Sequence, residues 1–275
     1  MIFVARPPFD CPPEDFQQAF DRLMAQEGEV YRQVKSRRTL CFSFQNKSYF
    51  IKQHTGIGLL ESLKDLFKGR CPIFGARNEW RALQLLQKIN VPAPMLVAYG
   101  QRGFLPCHQQ SFVLTEALEN TLSLDDIIPM LVSNEVSLPL KRIFLKTVAQ
   151  QISRMHAAGL NHRDCYLVHF RFDRRLLTGE LPASSLQLFV LDLHRAQIRK
   201  HVPTRWRIKD LAGLAFSSED IGLSLRDKLR FIRYYHAQPL REILPAYTKL
   251  WIAIAKQATK LYERHQRRKT ANHRN

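Results

Sequence analysis

A chain of 275 residues and 32.1 kDa is long for one compact domain and short for two, which predicts a single two-lobed unit. Its 45% hydrophobic and 24% charged residues exclude global disorder. With 42 Lys+Arg against 24 Asp+Glu the formal charge is +18, so the partners to expect are acidic: nucleic acid, phosphorylated small molecules, an acidic protein or an anionic membrane face.

The opening MIFVARPPFDCPP has a short apolar run and then prolines, so no signal peptide is expected. No apolar run approaches the roughly 18 residues of a membrane span. The chain is expected to be soluble or to lie on a surface. The cysteines (Cys11, Cys41, Cys71, Cys107, Cys165) are odd in number and scattered, which suits reduced thiols and neither a disulfide framework nor a zinc site. Residues 29–34 are a weak strand candidate. TLCFSF (39–44), a turn over residues 45–48 and YFIKQH (49–54) then spell a hairpin. After a basic stretch, NEWRALQLLQKI places Ala82, Leu83, Leu86 and Ile89 at helical spacing, with Glu79 on the same face; the prolines of VPAP end that helix. MLVAYG (95–100) and SFVLTEAL (111–118) read as strands. From there the pattern turns helical: Leu145, Val148, Ile152 and Met155 make one face of a helix that stops at Gly159. LVHFRF and LQLFVLDL read as short strands, and the chain from about Pro203 as basic helices. The stripe Trp251, Ile254, Ala258, Leu261 reads as core packing, and residues 263–275 as a disordered basic tail.

The segment MHAAGLNHRDCYLVHF carries the strongest chemical signal. Asp164 follows a helix and a tight turn and precedes a strand, with His156, Gly159, His162 and Arg163 at the spacing of a protein-kinase-like catalytic loop. In VLDLHR a second carboxylate, Asp192, ends an apolar strand. Lys52 lies inside the FIKQH strand and Glu79 on the next helix. Taken singly these have ordinary readings: an edge-strand charge, a solvated helix face, a turn residue. In this order they are the parts phosphoryl transfer needs. A lysine holds nucleotide phosphates and a glutamate holds the lysine, while one aspartate orients the acceptor hydroxyl and another binds magnesium.

Over residues 29–236 the sequence resembles the bacterial lipopolysaccharide core heptose kinases, on the strength of GRCPIFGARNEWRA, NHRDCYLVHF and LDLHRAQIR. The resemblance implies an α+β, two-lobed protein-kinase-like fold with a small β-rich N-lobe and a larger helical C-lobe. It implies ATP-dependent phosphorylation of an inner-core heptose at the cytoplasmic face of the inner membrane, with the enzyme peripheral there. Asp164 then resembles the catalytic base, Lys52 the phosphate-binding lysine, Glu79 its ion-pair partner and Asp192 the Mg2+ ligand. Glu116 and Leu118 resemble the hinge whose backbone binds adenine. Asp210 resembles the buried aspartate that steadies the catalytic loop, and His162 is a structural hydrogen-bonding histidine. The implied cofactors are ATP and Mg2+. The implied partners are the lipopolysaccharide core glycolipid, an anionic membrane surface and acyl carrier protein, with no nucleic acid.

Several residues depart from protein kinases. No G-x-G-x-x-G precedes the hairpin; the equivalent turn falls in residues 34–39. Asp192 is followed by Leu193-His194-Arg195, only a short stretch leads to Asp210, and Tyr166 stands where protein Ser/Thr kinases carry lysine. These argue against a protein substrate. His169 occupies the place of the second metal-binding Asn, where a nitrogen is a poor magnesium ligand; either one metal suffices or His169 touches phosphate. Arg195 and Arg199 read equally as surface charges or acceptor-binding groups. The divisions expected are an extension (1–28), an N-lobe (29–118), a C-lobe (119–262) and the tail. The competing readings are another acceptor such as Kdo, a non-catalytic kinase-like protein, and a basic binding protein.

Overall fold

A computed structural model describes residues 1–34, 36–56, 75–103, 105 and 108–272. The basic stretch over 57–74, with the first part of GRCPIFGARNEWRA, lies outside the described residues, as do Lys35, Cys71 and Cys107. The chain divides into two compact units: Met1–Leu85 with Pro94–Glu119 and Leu193–Arg195, and Leu86–Ala93 with Asn120–Asp192 and Ala196–Asn275.

The first unit is built on a six-stranded antiparallel sheet. Its strands are β1 (Ile2–Ala5), β2 (Glu29–Val34), β3 (Arg37–Phe44), β4 (Lys47–His54), β5 (Leu96–Arg102) and β6 (Gln110–Glu116), in the spatial order β1-β5-β6-β4-β3-β2. The segment before residue 29, expected as an extension, supplies the edge strand β1 and the helix α1 (Phe16–Met24), which buries Ala19, Phe20 and Leu23. Phe20 joins Phe3, Phe42, Tyr49, Ile51 and Phe112 in an aromatic core against the sheet. The β3–β4 turn is tighter than the sequence suggests. Phe44 pairs with Lys47, so only Gln45 and Asn46 turn, both at positive φ (48° and 60°). Two left-handed residues match the right-handed twist of the flanking strands. Of the turn expected over 34–39, Val34 ends β2 and residues 37–39 begin β3, while Lys35 lies outside the described residues. Helix α2 (Arg77–Lys88) begins where the amide of Ala76 donates to the buried Ser111 hydroxyl at 3.0 Å, fixing its N-terminus to β6. Trp80 in its first turn stacks on Tyr99 of β5, with ring centroids 4.2 Å apart.

The second unit is mainly helical, as the resemblance implies. It contains β7 (Thr121–Ser123), α3 (Leu138–Ala157), β8 (Leu160–Asn161), β9 (Phe170–Asp173), β10 (Phe189–Val190), β11 (Gln197–Ile198), α4 (Thr204–Ser217), α5 (Leu225–His236) and α6 (Leu240–Asn272). The Ser137 hydroxyl caps α3, and the helix buries Phe144, Val148, Ile152 and Met155. It ends at Gly159, φ 81°, where any Cβ would collide with the carbonyl of Arg199. That contact lets β8 and β11 pair. Ile254 and Ala258 of the α6 stripe are buried, and Trp251 and Ile254 line an apolar cavity of about 340 Å3 together with Leu211 and Phe231.

Three expectations need correction. Leu167–His169 is a 3-10 turn, so the LVHFRF strand is only Phe170–Asp173. LQLFVLDL forms only the two-residue β10, because its backbone groups bond elsewhere. The Leu188 carbonyl accepts from Gln151 Nε2, the Val190 amide donates to Pro92, and Leu191 bonds His162 and His169. The tail expected to be disordered continues α6 to Asn272. A helix already nucleated extends through Arg, Lys, Gln and Glu without needing burial.

Candidate active site

In the first unit Lys52 sits on β4 between Thr39 of β3 and Val113 of β6, and its ammonium donates to Glu79 Oε1 at 2.6 Å. The Glu79 side chain is 7% exposed and that of Lys52 22%, so the pair is largely out of water, where its attraction is poorly screened. Glu79 also lies in the first turn of α2, where the helix dipole favours a carboxylate. This is the ion pair expected from the sequence. His54, two residues along β4, is buried. Desolvation, reinforced by Arg37 and Lys52, pushes its pKa down to about 3, so the ring stays neutral. At the end of β6 the Glu116 amide donates to the Met95 carbonyl at 3.0 Å, which leaves that amide unavailable to a ligand. Its carboxylate pairs with Lys47 at 3.3 Å.

In the second unit Asp210, on α4 and 1% exposed, organises the loop before β9. Its Oδ1 accepts the Arg163 amide and its Oδ2 the His162 amide, both at 2.7 Å. His156 Nε2 reaches the same Oδ2 at 3.3 Å; since a carboxylate only accepts, Nε2 carries the proton and Nδ1 accepts from the Tyr235 hydroxyl at 2.9 Å. Burial raises the Tyr235 pKa to about 12, keeping that hydroxyl a donor. Held this way, Arg163 adopts φ 74°, a conformation that costs a non-glycine residue of order 1–2 kcal/mol and persists only where surroundings enforce it. The turn sets Asp164 at the head of the loop. Gly213 lets α4 approach from behind, since a Cβ there would press on the Cys165 carbonyl at 2.8 Å.

His162 is fully buried. Its Nε2 donates to the Leu191 carbonyl at 2.9 Å, and burial lowers its pKa. His169 Nδ1 donates to the Asp164 carbonyl at 2.7 Å, and its Nε2 lies 3.6 Å from Asp192 Oδ2. Asp192 itself takes φ 57°, held by the paired bonds of Leu191 just before it. Among the described residues no group of three or more metal-ligating side chains occurs. Magnesium commonly takes one or two carboxylates and fills its shell with phosphate oxygens and water, so Asp192 fits such an ion and His169 is the weaker donor. Cys165 is buried with its pKa raised, so its thiol is no nucleophile.

A model of the "Lipopolysaccharide kinase (Kdo/WaaP) family" matches residues 21–235. The chain belongs to this family. It is 45% identical, over 90% of its length and 91% of the relative's, to "Lipopolysaccharide core heptose(I) kinase WaaP" of Pseudomonas aeruginosa. The protein of the same name from Escherichia coli K12 is 41% identical over 91% of this chain and 93% of its own. A solved structure described as "WaaP in complex with acyl carrier protein" superposes with a TM-score of 0.79 at 39% identity, over 95% of this chain and 100% of that one. The protein is therefore a kinase, a phosphotransferase with the α+β kinase-like fold. The sequence did not disclose Leu191 and Tyr235, which act through a backbone carbonyl and a buried hydroxyl and leave no local pattern.

Proposed function

We propose that this kinase transfers the γ-phosphoryl group of ATP to a heptose of the lipopolysaccharide inner core. The observation that carries the reading is the Asp210-pinned loop that sets Asp164, in a chain 41–45% identical to heptose(I) kinases. Asp164 would accept the proton of the acceptor hydroxyl and orient its oxygen for in-line attack. Lys52, held extended by Glu79, would grip the nucleotide phosphates. The Glu116 carbonyl and the Leu118 backbone would meet adenine. Asp192, with His169 beside it, would hold magnesium, which when bound neutralises charge on the phosphate oxygens. The His162–Leu191 hydrogen bond would keep Asp164 and Asp192 in register, since it ties the two loops that carry them.

The charge of +18 supports an acceptor rich in phosphate and acidic sugars beside anionic lipid, at the cytoplasmic face of the inner membrane. Among the described residues no helix is long and apolar enough to cross a membrane, so a peripheral attachment is proposed. The same charge supports an acidic protein partner, and the acyl carrier protein in the related structure's title supports that choice. The family description also includes Kdo, which keeps that sugar as the second reading. The test is labelled ATP with purified enzyme and lipopolysaccharide from a strain lacking core phosphates. Label on a heptose is expected; label on Kdo would select the second reading, and no transfer would overturn both.

A further inference from the structure

A row of buried polar groups crosses three helices of the second unit and ends at Asp210. Tyr235 on α5 is 5% exposed, His156 on α3 7% and Asp210 on α4 1%. The Arg207 guanidinium, one turn before Asp210 on α4, hydrogen-bonds the Tyr235 hydroxyl. Arginine only donates, so the phenol oxygen accepts there and its proton is left to point at His156 Nδ1, 2.9 Å away. With that nitrogen holding a lone pair, the imidazole proton sits on Nε2 and faces Asp210 Oδ2 at 3.3 Å. The same Oδ2 accepts the His162 amide, and Oδ1 the Arg163 amide. The row therefore has one direction, from a guanidinium that cannot accept to a carboxylate that cannot donate. The ring that carries the hydroxyl is fixed as well. Trp251 of α6 meets Tyr235 edge-to-face, with centroids 5.7 Å apart at 88°, and its indole N–H donates to His236 Nε2 at 3.2 Å. Apolar side chains would hold three helices together without taking a chain of dipoles out of water. A polar row here serves orientation. Without a donor at Nδ1 the imidazole can put its proton there and turn a lone pair on the carboxylate.

We infer that Tyr235 is a positioning residue for phosphoryl transfer: through His156 it fixes the hydrogen bonds of Asp210, and so the loop that carries Asp164. The inference rests on the reading of that loop as catalytic. It makes the packing of α5 against α6 a condition for turnover, although neither helix carries a residue assigned to the chemistry.

The test compares wild type with Tyr235→Phe, which keeps the ring and removes the hydroxyl. With deacylated core oligosaccharide, well below the variant's Tm, kcat is expected to fall roughly tenfold while KM for ATP and for the oligosaccharide stay near wild type. In an Asp210→Asn background the same substitution is expected to change kcat by less than about threefold, because the hydroxyl acts through that carboxylate. Nitrogen NMR of histidine-labelled protein reads the cause: His156 is expected as the Nε2–H tautomer in wild type and as a mixture in Tyr235→Phe. A residue that served packing alone would lower Tm and leave the tautomer and kcat where they are, and that result would overturn the inference. So would full additivity with Asp210→Asn. Should Tyr235→Phe fail to fold, Arg207→Met is the second variant. It keeps the hydroxyl and lets its proton turn away, and an unchanged tautomer and kcat there would overturn the inference. Should wild type fail to transfer phosphate, the catalytic reading falls and NMR decides the role of Tyr235 by itself. Displaced His162 and Arg163 amide resonances in Tyr235→Phe would support the link to the loop, and unmoved ones would overturn it.

Discussion

Replacing Asp210 with Asn keeps the shape of the side chain and removes its charge and one of its acceptors. The amide oxygen can stay with the His162 amide and His156, the pair that share Oδ2, and the NH2 group must then face the Arg163 amide, donor against donor. One charge-assisted hydrogen bond is lost, at about 1.5–3 kcal/mol, and the surviving one weakens to a neutral bond. The sum is about 2–4 kcal/mol of stability, and at ~2–4 °C per kcal/mol it should lower Tm by roughly 5–15 °C. The effect on activity should be larger than stability alone explains, because Arg163 is then free to leave φ 74° and carry Asp164 out of position. Urea unfolding and steady-state turnover below the variant's Tm measure the two parts separately. A loss under about 1 kcal/mol with turnover near wild type would refute the claim that Asp210 pins the loop.

Three further outcomes are expected. A double-mutant cycle with Lys52→Met and Glu79→Gln should give a coupling of at least about 1 kcal/mol by urea unfolding. Lys52→Met should be the more destabilising single change, since it strands a carboxylate that is 7% exposed. His54 takes up a proton near pH 6.5 when unfolded and only at about 3 when folded, so acidification across that window favours the unfolded state. Between pH 7 and pH 5 wild type should lose about 2 kcal/mol more than His54→Gln, and equal losses would refute the buried-neutral assignment. Deleting residues 263–275, whose described part carries α6 to Asn272 and is basic and mostly exposed over 263–271, should weaken binding to anionic vesicles at low salt. Turnover on a soluble core oligosaccharide should persist, and equal vesicle binding by both forms would remove the recruitment role.

The parts of the candidate site that were legible in the sequence are those whose proposed chemistry lies in one side chain. Lys52 stood out as a charge inside a strand, Asp164 as a carboxylate after a capped helix and turn, and Asp192 as one ending an apolar run. Glu79 could be matched to Lys52 because helix spacing put it on the buried face. The connections between them were not legible, because they run through backbone atoms. Leu191 gives its carbonyl to His162 and its amide to His169, and no residue type encodes that. The same cause shortened the LQLFVLDL strand, whose apolar pattern records burial but not where its amides bond. The N-terminal segment was misjudged for a different reason: β1 is an edge strand of four residues, too short for its alternation to register beside the prolines that follow. At the other end, composition alone cannot separate an exposed basic helix from a disordered tail, since both lack apolar residues.

The central claim is that Asp164 acts on the acceptor hydroxyl in the transition state. Turnover of Asp164→Asn with saturating Mg·ATP and core acceptor, measured beside the rise in Tm that Mg·ATP produces, tests it most directly. The account predicts that kcat falls by about 10²–10⁴-fold while the Tm rise matches wild type, because base catalysis is lost and nucleotide binding is kept. Near-normal turnover, in a variant shown to be folded and to bind nucleotide, would contradict it.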